Sequence, residues 1–264
     1  MMKIIVCMKQ VPAGTTAEID PETGSMKRSS AETRTNPYDL FALETALQIR
    51  EKMDGTVTVL TMGPNQAEAM MKDAYAMGAD SAVILSDRKF AGSDVLATAF
   101  TLSQGITLAG GADLILCGRQ TTDGDTAQVG PALAEYMGIP HAAWVAEITA
   151  LNRDSICVRQ NLGTVTQESE LSYPCLITVD KDICVPRLPS YRKKVATTGR
   201  PVKFFSFEDM PVKDMTRYGL LGSPTAVVKM FSPEPTEKQI RMSGRNGAEK
   251  ALALFDTLTA KKII

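Results

Sequence analysis

Apolar positions in the first 140 residues alternate between short continuous runs and longer stretches with helical spacing. The short runs contain no charged residue, which is typical of strands covered on both faces of a parallel sheet. They lie at residues 4–6, 57–60, 82–85 and 114–116. The stretches between them predict crossover helices. This repeated strand–helix winding predicts an α/β fold, doubly wound around a mainly parallel sheet.

Start and stop signals set the bounds of the predicted helices. Asn36 before Pro37 predicts an N-cap, and Leu40, Leu43 and Leu47 mark one face of a helix that ends near Lys52. Further helices are predicted at about 66–77, 93–109 and 126–137, each ending just before a glycine. Residues 11–35 form a long excursion, in which a hairpin turn is predicted at 19–24.

The pattern changes after Pro140. Segments 145–151, 155–162, 165–171 and 175–179 are rich in β-formers and joined by short turns, which predicts antiparallel strands. Residues 180–224 are basic and interrupted by proline and glycine, which predicts an extended loop.

The chain ends in a predicted amphipathic helix at about 247–261, with Ala251, Leu252, Phe255 and Leu258 on one face. The segment before it, 232–247, is polar, so this helix is expected to bind another chain. We therefore expect an α/β domain over residues 1–224, followed by a linker and helical arm over 225–264.

Charge and cysteine usage exclude several classes of protein. The 29 basic and 30 acidic residues nearly cancel, which argues against a nucleic-acid partner. The five cysteines form no CxxC pair and favour a reducing, cytoplasmic location. His141 is the only histidine, so a histidine-based metal site or charge relay is not expected. No apolar stretch is long enough for a signal peptide or a membrane helix.

Residues 118–131 are the most informative segment, because they follow a predicted buried strand and open a helix. Ligands collect at this edge of open α/β sheets, and a helix N-terminus suits a phosphate. Gly124 permits close backbone approach, while Thr126 and Gln128 offer side-chain donors. A turn in which Asp123 and Asp125 merely cap the helix is an equally good interpretation. Neither standard phosphate-binding motif is present.

Other predicted strand ends meet the same edge of the sheet. They are residues 7–12, residues 62–64, and the stretch 86–99 with Gly92, Ser93, Asp94 and Thr98. Asn36 and Asp39 begin the first helix on that side. Taken singly, Lys9 is typical of a solvated charge and Asn36 is explained as a cap. Together these residues predict a nucleotide-sized cleft without a catalytic acid, base or nucleophile, which indicates a cofactor site.

Collinear motifs along nearly the whole chain point to one family. They are Cys7-x-Lys9-Gln10-Val11-Pro12, Asn36-Pro37-Tyr38-Asp39, Gly63-Pro64, Gly78-Ala79-Asp80, residues 118–131 and the run from Gln167 to Val179. Together they resemble the β subunit of electron-transfer flavoprotein. The chain departs from that family at residues 161–164, where Asn-Leu-Gly-Thr replaces an acidic, glycine-containing cluster.

The resemblance implies a heterodimer with an α subunit that carries one FAD. The β-subunit cleft holds AMP in the housekeeping branch and a second FAD in the electron-bifurcating branch, and segments 93–99, 123–131 and 219–225 look like the latter. In that branch NADH reduces the β-site FAD. One electron then passes to ferredoxin and the other, through the α-subunit FAD, to a dehydrogenase, by default of acyl-CoA type.

The resemblance also assigns residues. Phosphate contacts fall to Asp125, Thr126, Ala127, Gln128 and Val129, and flavin-side contacts to Ser93, Asp94 and Thr98. The remaining cofactor contacts, mainly to adenosine and ribityl groups, are expected from Cys7, Met8, Lys9, Asn36, Asp39, Met62, Gly63, Pro64, Asp123 and Gly124.

Two further segments are assigned to partners. A docking loop over 180–203 presents Leu188 and Pro189, flanked by Arg187 and Tyr191, to the partner dehydrogenase. The helix face at 251–258 is assigned to the α subunit. Two alternatives remain open from the residues: a nucleotide-binding regulatory module that works as a homodimer without flavin, and a scaffold whose cleft is empty.

Overall fold

Strands and helices alternate through the computed structural model, which describes residues 1–13, 33–228 and 240–264. The strands are β1 (Met2–Cys7), β2 (Gln10–Pro12), β3 (Thr33–Thr35), β4 (Gly55–Met62), β5 (Ser81–Leu85), β6 (Leu114–Gly118), β7 (His141–Leu151), β8 (Ser155–Asn161), β9 (Thr166–Ser172), β10 (Cys175–Val179) and β11 (Lys203–Phe205). The helices are α1 (Pro37–Lys52), α2 (Glu68–Met77), α3 (Val95–Leu108), α4 (Val129–Met137), α5 (Tyr191–Ala196) and α6 (Gly247–Ala260).

Nine of these strands form one sheet, in the order β11-β5-β4-β1-β6-β10-β7-β8-β9. Strand β1 is central and runs parallel to both β4 and β6. Ile4 and Val6 pack on the face covered by α1 and α2, while Ile5 and Cys7 pack on the face covered by α3 and α4. The predicted doubly wound α/β fold is confirmed. Winding reverses between β1 and β6, which opens a crevice at their carboxyl ends.

The prediction that residues 175–179 form an antiparallel strand is wrong. Strand β10 runs parallel to both of its neighbours, with Leu176 opposite Ile115 of β6 and His141 of β7. All five residues of β10 are buried, as in a strand covered on both faces, and its continuous apolar sequence is typical of that position. The predicted antiparallel pairing holds for β7 with β8 and for β8 with β9.

The prediction of an extended loop over residues 180–224 is also wrong. This segment contains α5, then β11, which runs parallel to β5, and two short 3-10 helices. Tyr218 explains why it packs, because its ring meets Phe100 and Phe207 edge-on at centroid distances of 5.1 and 5.3 Å. Its hydroxyl donates to the Val212 carbonyl. Such edge-to-face aromatic pairs stabilise a fold beyond their buried area.

Helix bounds follow the predicted signals with local exceptions. Helix α4 begins at Val129 rather than Thr126, because Asp125 and Ala127 adopt positive φ angles of 53° and 54° that a helix does not allow. Helix α3 begins at Val95 rather than Ser93, after Asp94, whose carboxylate accepts the Leu96 and Ala97 amides. The terminal helix α6 is confirmed, and none of its residues is buried.

The excursion between β1 and α1 is described at its two ends only. Strands β2 and β3 pair antiparallel there, with Val11 opposite Arg34. The hairpin turn predicted at residues 19–24 lies outside the described residues. No helix within the three described ranges combines the length and the apolar character needed to cross a membrane.

Close packing of α4 on β10 supplies a test of this architecture. A Cβ atom at Gly130 would lie 2.4 Å from the Thr178 Cγ2 methyl, and the Thr178 hydroxyl is fixed because it accepts the Trp144 amide at 3.0 Å. We expect Gly130→Ala to lower the free energy of unfolding by about 1–3 kcal/mol in urea titrations.

Removing the opposing methyl should reverse the effect. Thr178→Ser keeps the hydroxyl and deletes Cγ2, so the double variant Gly130→Ala/Thr178→Ser is expected to recover most of the lost stability. Gly199→Ala is the matched control, because nothing lies within 4 Å of that position, and it should leave stability unchanged. If the urea midpoint of Gly130→Ala equals that of the parent, the close contact between α4 and β10 is contradicted.

Candidate functional site

The side chain of Asn36, at the start of α1, joins two strand ends. Its Nδ2 donates to Asp39 Oδ1 and to the Gln120 carbonyl, both at 2.9 Å, and its Oδ1 accepts the Thr122 amide at 3.3 Å. Asp39 Oδ2 accepts the Lys9 amide at 2.7 Å. Asn36 does precede the helix as predicted, but its side chain makes no capping hydrogen bond. Its amide fastens the loop after β6 to α1 instead.

Gly118 permits this close approach at the end of β6. A Cβ atom there would lie 2.5 Å from Asp39 Oδ1 and 2.6 Å from the Tyr38 carbonyl carbon. Contacts this short are excluded for any side chain that carries a Cβ. Glycine at this position therefore lets the first helix and the neighbouring strand end share one buried polar cluster.

Burial leaves the bottom of the crevice with little charge. It raises the pKa of Asp39 to about 7, although hydrogen bonds from Asn36 and from the Lys9 amide and the nearby Lys9 ammonium favour the ionised form. Cys7 and Cys117 lie opposite each other on β1 and β6, and both are buried. The hydrogen bond with Cys7 and burial raise the pKa of Cys117 well above its usual range, so this thiol stays protonated.

The loop after β6 is tied across the end of β1 by an ion pair. Lys9 Nζ donates to both carboxylate oxygens of Asp123, at 2.8 and 2.7 Å. Burial opposes ionisation of Asp123, but the hydrogen bond from Lys9 outweighs it and holds the pKa below its usual range. Asp123 also accepts the Gly124 amide, as a turn residue would. Neither Asp123 nor Asp125 caps α4, whose N-cap is Gln128 without a side-chain bond.

Residues 125–129 present backbone donors at the beginning of α4. Asp125 and Ala127 adopt the left-handed backbone conformation. This conformation costs a non-glycine residue about 1–3 kcal/mol, and residues that adopt it cluster at ligand sites. Within the described ranges, the amides of Thr126, Ala127, Gln128 and Val129 have no hydrogen-bond acceptor. Free amides at a helix N-terminus, where the helix dipole is positive, suit a phosphate or another anion.

The remaining predicted cofactor residues fall into two groups. Cys7, Met8 and Met62–Pro64 lie at the ends of β1 and β4, where the Met8 amide donates to the Leu60 carbonyl at 2.8 Å and the Gly63 amide to Leu85 at 3.0 Å. Ser93 and Asp94 precede α3, and Thr98 lies in its first turn. Ser93 Oγ donates to the Phe90 carbonyl at 2.8 Å, and the Thr98 amide donates to the Asp94 carbonyl at 2.9 Å.

Asp94 is bound to residues 223–225 and caps α3. Its carboxylate accepts the amide and the hydroxyl of Thr225 at 3.1 and 2.9 Å, and its amide donates to Ser223 Oγ at 2.8 Å. Burial raises the pKa of Asp94, yet the hydrogen bonds from Ala97 and Thr225 outweigh it, so the pKa lies below its usual range. The structure therefore places Ser93 and Asp94 in a separate cluster from Asn36 and Asp39.

Of the four predicted docking residues, Arg187, Leu188 and Pro189 precede α5 and Tyr191 is its first residue. Leu188 is 86% exposed and Tyr191 82% exposed, and Pro189 is exposed as well. Arg187 differs, because its guanidinium forms ion pairs with Glu44 and Glu51 of α1. The apolar side chains are thus presented to solvent while the basic one is bound within the chain.

A third cluster, formed by Arg119, Trp144 and Asp180, was not predicted. Arg119 Nη1 donates to Asp180 Oδ2 at 2.8 Å, and the guanidinium carbon lies 4.1 Å from the centre of the Trp144 ring. Trp144, the only tryptophan, has a φ angle of 60°. The available signals were the arginine beside Gly118 and the lone tryptophan. Within the described ranges no group of three or more His, Cys, Asp or Glu residues is placed to hold a metal ion.

Comparison with known proteins shows what the chain is similar to. A family model described as "Electron transfer flavoprotein domain" matches residues 23–203. An electron transfer flavoprotein subunit beta from Thermoanaerobacterium thermosaccharolyticum is 40% identical over the full length of both chains. Protein FixA from Sinorhizobium fredii is 41% identical over 90% of this chain and 86% of its own. The caffeyl-CoA reductase-Etf complex subunit CarD of Acetobacterium woodii is 39% identical over both full lengths.

The raised pKa of Asp39 predicts a specific pH dependence. Unfolded, this carboxyl titrates near 3.8, whereas in the folded chain it titrates near 7, so the folded state binds the extra proton between these values. Its contribution to stability therefore falls as pH rises from about 4 to about 7. The stability of the parent relative to Asp39→Asn should fall over that range and level off above it.

Urea unfolding at half-unit pH steps provides the measurement. Asp123→Asn is the control of opposite sign. Folding lowers the pKa of Asp123, so its carboxylate stabilises the fold at pH values above the pKa of the unfolded carboxyl, and this contribution is lost as pH falls through the folded pKa. A parent-minus-variant difference at Asp39 that stays constant between pH 4 and 7 would show that this carboxyl titrates normally.

Proposed function

The chain belongs to the electron-transfer flavoprotein β-subunit family, and we propose that it is the β subunit of an electron-bifurcating heterodimer. The α subunit would carry one FAD, and the crevice at the carboxyl ends of β1 and β6 would hold a second. The observation that carries a nucleotide in this crevice is the loop at 125–129, where Asp125 and Ala127 are left-handed and the amides of residues 126–129 have no acceptor among the described residues. The choice of FAD rests on the resemblance of segments 93–99, 123–131 and 219–225 to the bifurcating branch.

The residues present fit a dinucleotide cofactor. The amides of residues 126–129 match the acceptors of a pyrophosphate, and Lys9 supplies a cation at the mouth of the same crevice. The Asn36–Asp39 cluster and the protonated Cys117 thiol form a polar but nearly uncharged floor beneath it. When bound there, FAD would accept two electrons from NADH and deliver one to ferredoxin and one, through the α-subunit FAD, to a dehydrogenase.

One relative supports a partner enzyme that acts on acyl-CoA. The relative from Acetobacterium woodii is named as a subunit of a caffeyl-CoA reductase-Etf complex, and its alignment covers both chains completely. We propose that the dehydrogenase served by this chain is of the acyl-CoA type and docks at residues 180–203. The exposed Leu188 and Tyr191 suit the apolar centre of such an interface.

Helix α6 is proposed as the arm that contacts the α subunit. Leu252 and Phe255 are more than half exposed, and none of the helix is buried against the described part of the chain. A helix with an apolar face and no internal partner is stabilised by packing against a second chain. Residues 225–264 would then form a linker and arm, outside the nucleotide-binding domain of 1–224. We place the complex in the cytoplasm on its cysteine usage.

A housekeeping β subunit that binds AMP is the second candidate. The same amides at 126–129 would bind a single phosphate equally well, so this geometry alone does not separate the two nucleotides. A regulatory homodimer without flavin is less favoured, because it leaves the exposed Leu188 and the whole of α6 without a role.

Nucleotide analysis of the purified αβ complex separates these candidates. We expect two FAD per heterodimer, whereas one FAD and one AMP would assign the chain to the housekeeping branch. A flavin-free homodimer would overturn both.

The variant Lys9→Met, with Lys72→Met as its control, tests whether the second nucleotide binds in the crevice. Both lysines form exposed ion pairs, with Asp123 and with Glu68 respectively, but only Lys9 lies at the strand ends. Loss of a charge-assisted contact of about 1.5–3 kcal/mol should weaken the second nucleotide by about tenfold or more in Lys9→Met. Lys72→Met should retain it, and equal retention in both would contradict the site.

Docking is tested by Leu188→Ala. Truncating a central apolar anchor costs about 2 kcal/mol or more, so the apparent KM for an acyl-CoA dehydrogenase in electron transfer should rise at least tenfold. The nucleotide content should not change, since Leu188 lies outside the crevice. Val165→Ala, which truncates an exposed apolar side chain between β8 and β9, is the control. Unchanged transfer in Leu188→Ala would remove the docking assignment.

A further inference from the structure

Arg187 joins the predicted docking loop to helix α1. Its Nε donates to Glu44 Oε2 at 2.7 Å and its Nη2 to Glu44 Oε1 at 3.0 Å. Its Nη1 donates to Glu51 Oε1 at 2.7 Å. The backbone amide of Arg187 also donates to Glu44 Oε2, at 3.1 Å, so one carboxylate holds both the side chain and the main chain.

This pair differs from an ordinary surface ion pair. The Glu44 side chain is only 5% exposed, and its Oε1 also accepts Gln48 Nε2 at 2.9 Å. Burial raises the pKa of Glu44, but the hydrogen bonds from Arg187 and Gln48 outweigh it, and the pKa lies below its usual range. A bidentate arginine–carboxylate pair of this kind fixes geometry as well as charge.

The same loop is held from the other side by the end of α2. The Ser190 amide donates to the Ala76 carbonyl at 2.9 Å, and Lys193 Nζ donates to the Met77 carbonyl at 3.1 Å. Carbonyls in the last turn of a helix lack partners within the helix, and a cation there also complements the helix dipole. Residues 187 and 190 are therefore anchored to two different helices, with Leu188 and Pro189 between them.

Anchoring on both sides explains how Leu188 stays 86% exposed. A leucine on a mobile loop would lower its free energy by folding onto nearby apolar surface, whereas the fixed backbone at 187 and 190 prevents that. We propose that Glu44 and Arg187 are positioning residues, which hold Leu188 in its docking conformation before the dehydrogenase arrives. This inference rests on the docking role proposed above. It assigns the Arg187 guanidinium to the loop's own support rather than to the partner.

Preorganisation predicts which kinetic constant changes. Binding to an ordered loop avoids the entropy cost of ordering it, so loosening the loop weakens docking without altering the cofactor crevice. In Glu44→Gln the apparent KM for a purified acyl-CoA dehydrogenase should rise about fivefold, with kcat within twofold of the parent. Amide hydrogen exchange in the αβ complex should become about tenfold faster at residues 187–192.

Two variants make the comparison specific. Glu51→Gln removes only the Nη1 contact at an exposed carboxylate, so it should fold normally and shift KM and exchange in the same direction by a smaller factor. Glu68→Gln is the matched control, because it breaks an exposed ion pair with Lys72 on α2 that does not touch the loop. It should change neither KM nor exchange.

The outcomes separate this inference from the docking role itself. Faster exchange together with a higher KM in Glu44→Gln and Glu51→Gln supports the positioning role. A parental KM in both variants overturns it, whether or not exchange changes, provided that Leu188→Ala still raises KM. A parental KM in Leu188→Ala overturns the docking role, and the positioning role with it.

Discussion

The buried hydrogen bonds of Asn36 and Asp39 are the contacts on which the strand-end crevice depends. They satisfy the Lys9 amide, the Thr122 amide and the Gln120 carbonyl, which belong to two separate strand ends. A buried polar group left without a partner costs about 1–3 kcal/mol, so these side chains are tightly constrained. Gly118 belongs to the same arrangement, because its missing Cβ leaves the space that Asp39 occupies. The geometry of the crevice therefore depends on the identity of Asn36, Asp39 and Gly118 and on their close packing.

The charge distribution around that cluster determines which groups the crevice can offer to an anion. Lys9 is already paired with Asp123, and burial favours the protonated form of Asp39 up to about neutral pH. Lys9 therefore offers a hydrogen-bond donor to a bound phosphate but adds little net positive charge. The other donors are the backbone amides of residues 126–129, and the left-handed residues Asp125 and Ala127 lie in the loop that carries them. Surrounding contacts stabilise these strained backbone conformations, including the hydrogen bond that Gln120 Nε2 donates to the Asp125 carboxylate.

The parallel half of the sheet was predictable from the sequence, because continuous apolar strands are a local signal. The position of residues 118–131 between β6 and α4 was predictable for the same reason. Strand β10 carries the same local signal, but it was predicted to be antiparallel because the strands that precede it in the sequence are antiparallel. The packing of residues 180–224 depends on Tyr218 meeting Phe100, a contact between residues far apart in the chain that no local period records. Asn36 before Pro37 has the sequence of a cap, and only the fold shows its amide reaching Gln120.

Helix α1 links the strand-end crevice to the loop that we propose for docking. Its first turn carries Asp39, which anchors the end of β1, and its later turns carry Glu44 and Glu51, which anchor Arg187. At about 1.5 Å per residue, Asp39 and Glu44 are roughly 8 Å apart along the axis. A helix is stiff over such a distance, so the position of Leu188 is set relative to the crevice. The distance and orientation of a docked dehydrogenase relative to a bound cofactor would then be set by the rigid helix α1 rather than by a mobile loop.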